Sequence, residues 1–329
     1  MCADTLTRDN PILSRLTRAE DGVHTSAIII NAGLPPEVGA YVRDSLAPNT
    51  RKAYLSDLAH FEDWGGSIPA SAETIATYLA AHAETRSVAT LVRRIASLSK
   101  AHEARGLTNP TRSELVRSTM RGIKRSRGRP QSEASPLLRD DLLLTLDRMR
   151  DCIKGVRDRA LLLIGFAGGL RRSELVGLDL ADIEHVRQGI VLHLRRSKTD
   201  QQGIGQKIGI PHGRGRWCPV VALDSWLAVS GITEGALFRP VDRHGRIQHA
   251  RLSGEAVALV VRERVATAGI DPANYSGHSL RAGLATSAAQ AGVPTWKIRA
   301  QTRHASDAML GRYIRDGELF TDNAAGTLL

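Results

Sequence analysis

Apolar residues recur at helical spacing along most of the chain, and the interruptions between those runs mark out its elements. In RSVATLVRRIASLSKAHEARG, Val88, Leu91, Val92, Ile95 and Leu98 make one stripe, which predicts a helix that Gly106 stops. Arg86, Arg93, Arg94, Ser97 and Lys100 fall largely off that stripe. Upstream, Tyr54, Leu58 and Phe61 line a helix capped by Asn49 or Thr50, and SAETIATYLAAHA starts another near Ser71. Residues 36–125 therefore read as a small helical domain. Residues 1–35 show no strong period and are read as a partly disordered N-terminal segment.

The segment KRSRGRPQSEASP has no apolar period and is rich in Arg, Ser, Gly and Pro, so a linker is placed at residues 126–136. Beyond it, Leu142 to Met149 and Arg157 to Phe166 predict helices, the second broken by Gly168-Gly169. The period then changes. Ile190, Leu192 and Leu194 alternate with Val191, His193 and Arg195, as in a half-buried strand, and turn-like RQG and TDQQGIG flank it. A small antiparallel sheet of three strands follows, with Lys198 where the second strand leaves for a hairpin loop. Helices return afterwards. SGHSLRAGLATSAAQAGVP is bounded by Ser276-Gly277 and by Gly292 with Pro294, and a last helix runs around Ser306 to Arg315. The fold class is mainly α with a small antiparallel β-sheet, and residues 137–329 form the second domain.

Charge adds a partner to this picture. The 329 residues hold 45 Lys and Arg against 34 Asp and Glu, a net +11. Residues 86–129 alone hold twelve Arg and Lys and only two acids, Glu103 and Glu114. A basic excess focused on one stretch points to a polyanion, most often nucleic acid. Arg86, Arg93, Arg94, Ser97, Lys100, Arg121, Lys124 and Arg125 are the candidate DNA contacts, the first five along the helix stopped by Gly106, one face of which could follow phosphates or enter a major groove. Composition also excludes classes. Cys2, Cys152 and Cys218 are scattered without a CxxC pair, which argues against a zinc site or a disulfide framework. The first residues carry no secretory pattern, and the longest apolar run, Ala160 to Leu170, is too short to span a bilayer. The expected location is the cytoplasm, with no membrane partner.

Six residues of the second half stand out for chemistry: Arg171, Lys198, His278, Arg281, His304 and Tyr313. His278 lies at a predicted helix start, where free N–H groups suit a phosphate. Their order, carried by GLRRSEL, SKT, SGHSLRAG and a tyrosine nine residues after His304, resembles the tyrosine recombinase (phage integrase) family. The resemblance implies a two-domain architecture, a helical core-binding domain and a mixed catalytic domain, forming a C-shaped clamp on DNA. It implies that Tyr313 attacks a phosphodiester, giving a 3′-phosphotyrosine and a free 5′-hydroxyl; Tyr275, three residues before His278, is the rival nucleophile but does not match the family position. Arg171 and Arg281 would clamp the nonbridging oxygens, Lys198 protonate the leaving 5′-oxygen, His278 exchange a proton with the tyrosine, and His304 hydrogen-bond the phosphate. Glu174 would orient the neighbouring cations.

Bond energy is conserved in such an exchange, so the resemblance implies no ATP, and no GxxxxGK[ST] loop is present; the fixed cations would do what Mg²⁺ does elsewhere, so no metal or other cofactor is expected. The implied partners are double-stranded DNA with inverted-repeat half-sites and three further copies of the chain, as a homo-tetramer on two DNA sites. Two features set this chain apart. Arg303 stands before His304, where the family commonly has glycine. The tail ELFTDNAAGTLL carries Leu319, Phe320, Leu328 and Leu329, apolar residues that the resemblance implies dock on a neighbouring subunit, with docking on their own domain as the alternative. About 35 residues before the first helix are too few for an additional arm-binding domain. The competing functions are a type IB topoisomerase-like nicking–closing enzyme and a DNA-binding regulator without catalysis.

Overall fold

The computed structural model describes residues 35–128, 134–195, 205–304, 306–317 and 325. The chain divides into two compact units between Gln131 and Ser132. Lys198, the tail residues Leu319, Phe320, Leu328 and Leu329, and nearly all of the N-terminal segment lie outside the described residues.

The first unit is helical, with α1 (Pro36–Asp44), α2 (Pro48–Asp63), α3 (Ala72–Ala81), α4 (Val88–Ala104) and α5 (Glu114–Arg127). Its starts follow capping chemistry. The Ser71, Ser87 and Ser113 hydroxyls accept from the backbone N–H groups of Thr74, Thr90 and Val116, opening α3, α4 and α5. At α2 the expected Asn49 or Thr50 cap is replaced by Ala47 followed by Pro48, whose fixed φ and missing N–H suit the first turn. Helix α5 runs to Arg127, into the stretch read as linker. Phe61, Ile75, Tyr78, Leu79, Leu91, Leu98 and Met120 fill the core.

The buried face of α4 differs from the stripe read in the sequence. Val92 is exposed, whereas Arg94 is 5% exposed and Ser97 is fully buried. The cause is Asp57 on α2, itself buried. Arg93 donates to both of its oxygens at 2.9 and 2.8 Å, Ser97 donates at 2.9 Å, and Arg94 Nε lies 3.8 Å away. A buried carboxylate must be paired, so α4 turns its polar side inward far enough to satisfy it. Arg94 and Ser97 are therefore corrected from candidate DNA contacts to interior residues. Arg86, Lys100, Arg121, Lys124 and Arg125 remain exposed.

The second unit places a three-stranded sheet beside helices. Its elements are α6 (Arg139–Asp147), α7 (Ile153–Ala167), α8 (Arg172–Gly177), β1 (Ile183–Val186), β2 (Gly189–Leu194), β3 (Gln206–Pro211), α9 (Pro219–Ser230), α10 (Gly254–Thr267), α11 (Ser279–Gln290), α12 (Thr295–Thr302) and α13 (Asp307–Gly317). The order β1-β2-β3 is antiparallel throughout. Ile190 pairs with Ile210 and Leu192 with Ile208, so the buried residues of both strands fall on one face. Trp226, Leu161, Leu162, Phe238 and Val261 belong to the main core, and α11 lies against its edge. Gly283 makes that contact close: a Cβ there would come within 1.9 Å of the Leu137 carbonyl oxygen. Leu137 N–H in turn donates to Ser279 O at the start of α11.

Asp57→Ala leaves Arg94 buried without its counter-charge. We expect a loss of roughly 3–5 kcal/mol from the first unit, read as faster hydrogen exchange of the α2 and α4 amides, with the second unit unaffected.

Candidate active site

Four chain segments converge at one place in the second unit. The turn ending α7 supplies Gly168, Gly169 and Arg171; α11 supplies His278 and Arg281; the end of α12 supplies Arg303 and His304; α13 supplies Tyr313. Gly169 takes a left-handed φ of 54°, which frees its carbonyl to accept from Arg281 Nη1 at 2.8 Å. Arg281 is 1% exposed, and its Nη2 has no hydrogen-bond partner among the described residues. Burial first, then Arg171, pushes its pKa down to about 9, which leaves it charged at neutral pH. A buried guanidinium with a spare donor is a place for an anion.

Arg171 sits just before α8, and Glu174 reaches back to accept its backbone N–H at 2.9 Å. The same carboxylate accepts from Arg171 Nη1 at 2.6 Å. Glu174 is itself buried; burial would raise its pKa, but Arg303 and then the Arg171 hydrogen bonds hold it below the usual carboxylate range. Glu174 thus touches the arginine whose orientation the sequence assigned to it.

His278 Nε2 and the Tyr313 hydroxyl are 2.9 Å apart. Burial, followed by Arg281, Arg171 and Arg172, lowers the His278 pKa, so the imidazole is neutral near pH 7 and able to take the phenolic proton. His304 stacks at a tilt on Tyr313, ring centres 5.5 Å apart. Its Nδ1 lies 2.7 Å from Thr302 Oγ1, which lies 2.7 Å from Ile298 O. Thr302 has one proton to give. Donated to Ile298 O, it makes Thr302 the acceptor of Nδ1–H and leaves Nε2 bare; turned toward Nδ1, it leaves the proton on Nε2, where it can be donated outward. Burial, then Arg281 and Arg171, holds the His304 pKa down at about 4.

Tyr275, the rival nucleophile, is buried in the main core, and burial raises its pKa. It is not part of this cluster. Arg303, which stands where the family commonly has glycine, points inward. It ends α12 with φ 56° and ψ 45°, a conformation that costs an L-residue about 1–2 kcal/mol and explains the usual glycine. Its Nη2 donates to Glu174 Oε2 at 2.6 Å. Sequence reasoning also missed Thr302 and the Gly169 carbonyl, which hold His304 and Arg281; only the Gly-Gly pair gave a local signal. Among the described residues no group of three or more His, Cys, Asp or Glu is placed to hold a metal, and no helix is long and apolar enough to cross a membrane.

His304 fixes a pH prediction. Its folded pKa lies below its unfolded value near 6.5, so the unfolded chain binds the extra proton in between. Stability of the second unit should fall as pH drops from about 6.5 toward 4. His304→Gln should flatten part of that slope in thermal melts, and an unchanged slope would show that His304 does not carry it.

Comparison with known proteins places this geometry. The phage integrase family model matches residues 137–318. An integrase/recombinase XerD homolog from Selenomonas ruminantium is 38% identical over 327 residues, covering 96% of this chain and 93% of its own length. The recombinase Cre of Escherichia phage P1 is 25% identical over 299 residues, covering 83% and 86%. The crystal structure of XerH recombinase bound to palindromic difH substrate, a post-cleavage complex, superposes with a TM-score of 0.60 at 16% identity, over 89% of this chain and 83% of that one. Matched over more than half its residues by the family model and over nearly all of them by a relative, this chain belongs to the phage integrase family, the tyrosine site-specific DNA recombinases.

Proposed function

We propose that this recombinase cuts and rejoins DNA through Tyr313, with Arg171, Arg281, His278, His304 and Lys198 as its catalytic residues. The observation that carries the reading is the Tyr313 hydroxyl 2.9 Å from His278 Nε2, in one cluster with a buried arginine that has a donor to spare. The phenolic oxygen forms a bond to phosphorus as its proton passes to His278, and the P–O5′ bond breaks. Lys198, which falls between β2 and β3 in the sequence, gives the proton that the departing 5′-oxygen needs. A 5′-hydroxyl from a second strand then reverses the step and releases the tyrosine.

Charge balance supports this assignment. Arg171, Arg281 and Arg303 surround one carboxylate, Glu174, so the cluster carries a net +2 with both histidines neutral. A phosphodiester brings −1 and its pentavalent transition state −2, so the fixed charges are complementary to the transition state more than to the ground state. Cations already in place supply what a divalent metal supplies elsewhere, and the exchange of one phosphoester for another needs no ATP.

Four strands must be exchanged between two duplexes. One tyrosine per strand makes four protomers on two DNA sites, each site an inverted pair of half-sites. In the first unit the exposed Lys124 and Arg125 close the C-terminal turn of α5, with Arg86, Lys100 and Arg121 also at the surface; these form the DNA-binding face of a core-binding domain at residues 36–125. Arg93 donates to Asp57 yet stays half exposed, so it remains among these candidate contacts. The enzyme works where such DNA is kept, in a bacterial cytoplasm.

Tyr313→Phe should bind site DNA as the wild type does and form no covalent adduct, while the wild type forms it even in excess EDTA. A normal adduct yield from the variant, trapped on a nicked duplex, would remove Tyr313 from its role. Lys124→Ala combined with Arg125→Ala should make the log–log salt dependence of binding shallower by roughly 1.8, since each phosphate contact contributes about 0.9. An unchanged slope would show that this end of α5 faces away from DNA.

A further inference from the structure

Arg303 occupies its position against two local preferences. Its backbone sits at φ 56°, the single positive φ of a non-glycine among the described residues. Its buried Nε has no hydrogen-bond partner among the described residues. Glycine would relieve both. What the side chain gains is contact with each support of the arginine pair. Nη2 donates to Glu174 Oε2 at 2.6 Å and approaches Gly169 O at 3.4 Å; Nη1 donates to Gln301 O at 2.9 Å and Gly168 O at 3.3 Å. Glu174 is the carboxylate that holds Arg171, and Gly169 O is the carbonyl that holds Arg281. The backbone carbonyl of Arg303 also accepts from Arg171 Nη2 at 3.4 Å.

We propose that Arg303 is a positioning residue: it neutralises Glu174 so that the charge of Arg171 stays available to the scissile phosphate, and it stiffens the Gly168-Gly169 turn that aims Arg281. This rests on the reading of Tyr313 and the two arginines given above. Without Arg303, Arg171 and Glu174 would form an ordinary neutral ion pair, and the cluster would keep only the charge of Arg281. With it, one carboxylate is shared between two guanidiniums and the site keeps a second positive charge. The effect extends to the histidines. His304 faces Arg281, Arg171, His278, Arg303 and Tyr313, and losing one of those cations leaves the Glu174 charge less compensated.

The test uses the full-length chain and two substitutions, Arg303→Met, which keeps bulk and loses charge, and Arg303→Lys, which keeps charge. Arg303→Gly, suited to the left-handed backbone, replaces the Met variant if that one does not fold. The first readout is an NMR titration of the His304 ring in the DNA-free protein. Its midpoint should rise in the Met or Gly variant and stay near that of the wild type in the Lys variant. The second is the rate of covalent adduct formation at saturating duplex, made from the DNA recovered attached to the wild type. Loss of the charge should slow it about tenfold with duplex affinity unchanged, and Lys should restore most of the rate. An Arg303 that merely caps α12 would leave both the titration and the rate of the Gly variant at wild-type values, which would overturn the proposal. If the wild type itself forms no adduct, the reading of Tyr313 fails, while the titration still decides the electrostatic role of Arg303.

Discussion

A single buried carboxylate allows the catalytic unit to hold its cations together before any substrate arrives. Arg171, Arg281 and Arg303 would repel one another in a medium of low dielectric, and two of them are almost wholly buried. Glu174 offsets that repulsion with two oxygens shared among three donors: the Arg171 backbone, the Arg171 side chain and Arg303. One negative charge stabilises the cluster without neutralising it. The positive remainder is what a phosphate would meet in the proposed reaction.

The same field sets the state of the histidines. Burial and neighbouring guanidiniums act in one direction on His278 and His304, against the protonated ring. A neutral His278 can receive the proton of Tyr313, whereas an imidazolium could not. Backbone geometry serves this electrostatics. The left-handed turns at Gly169 and Arg303 bring their carbonyls toward Arg281 and Arg171, so guanidinium donors are satisfied by dipoles that cannot ionise. The nitrogen left over on Arg281 faces the cost of burial without a partner, a cost that substrate oxygens would remove.

In the first unit a carboxylate plays the reverse part. Asp57 draws Arg93, Arg94 and Ser97 of α4 toward itself and turns part of a strongly basic segment into structure. Basic residues there divide into those that complete the fold and those left for a partner. Arg94 lies over the Tyr78 ring at 5.6 Å within that interior. Lys124 and Arg125 stay outside because α5 buries only Val116, Met120 and Ile123.

Much of this was legible in the chain itself. Helical period, the glycine and proline breaks and the change to alternation at Ile190 located most helices and the sheet, because those signals depend on neighbours within a few residues. The order of Arg171, Lys198, His278, Arg281, His304 and Tyr313 along the chain already resembled that of the phage integrase family. What the sequence could not reveal depended on partners distant along the chain. A stripe read from α4 alone puts Val92 inside and Arg94 outside; Asp57, 36 residues before Arg93, reverses that. Arg303 read only as a departure from the usual glycine until the fold set it against Glu174, 129 residues away. Local pattern fixes which backbone a segment prefers, but a buried charge is stable only beside its counter-charge, and tertiary structure alone decides where that counter-charge stands.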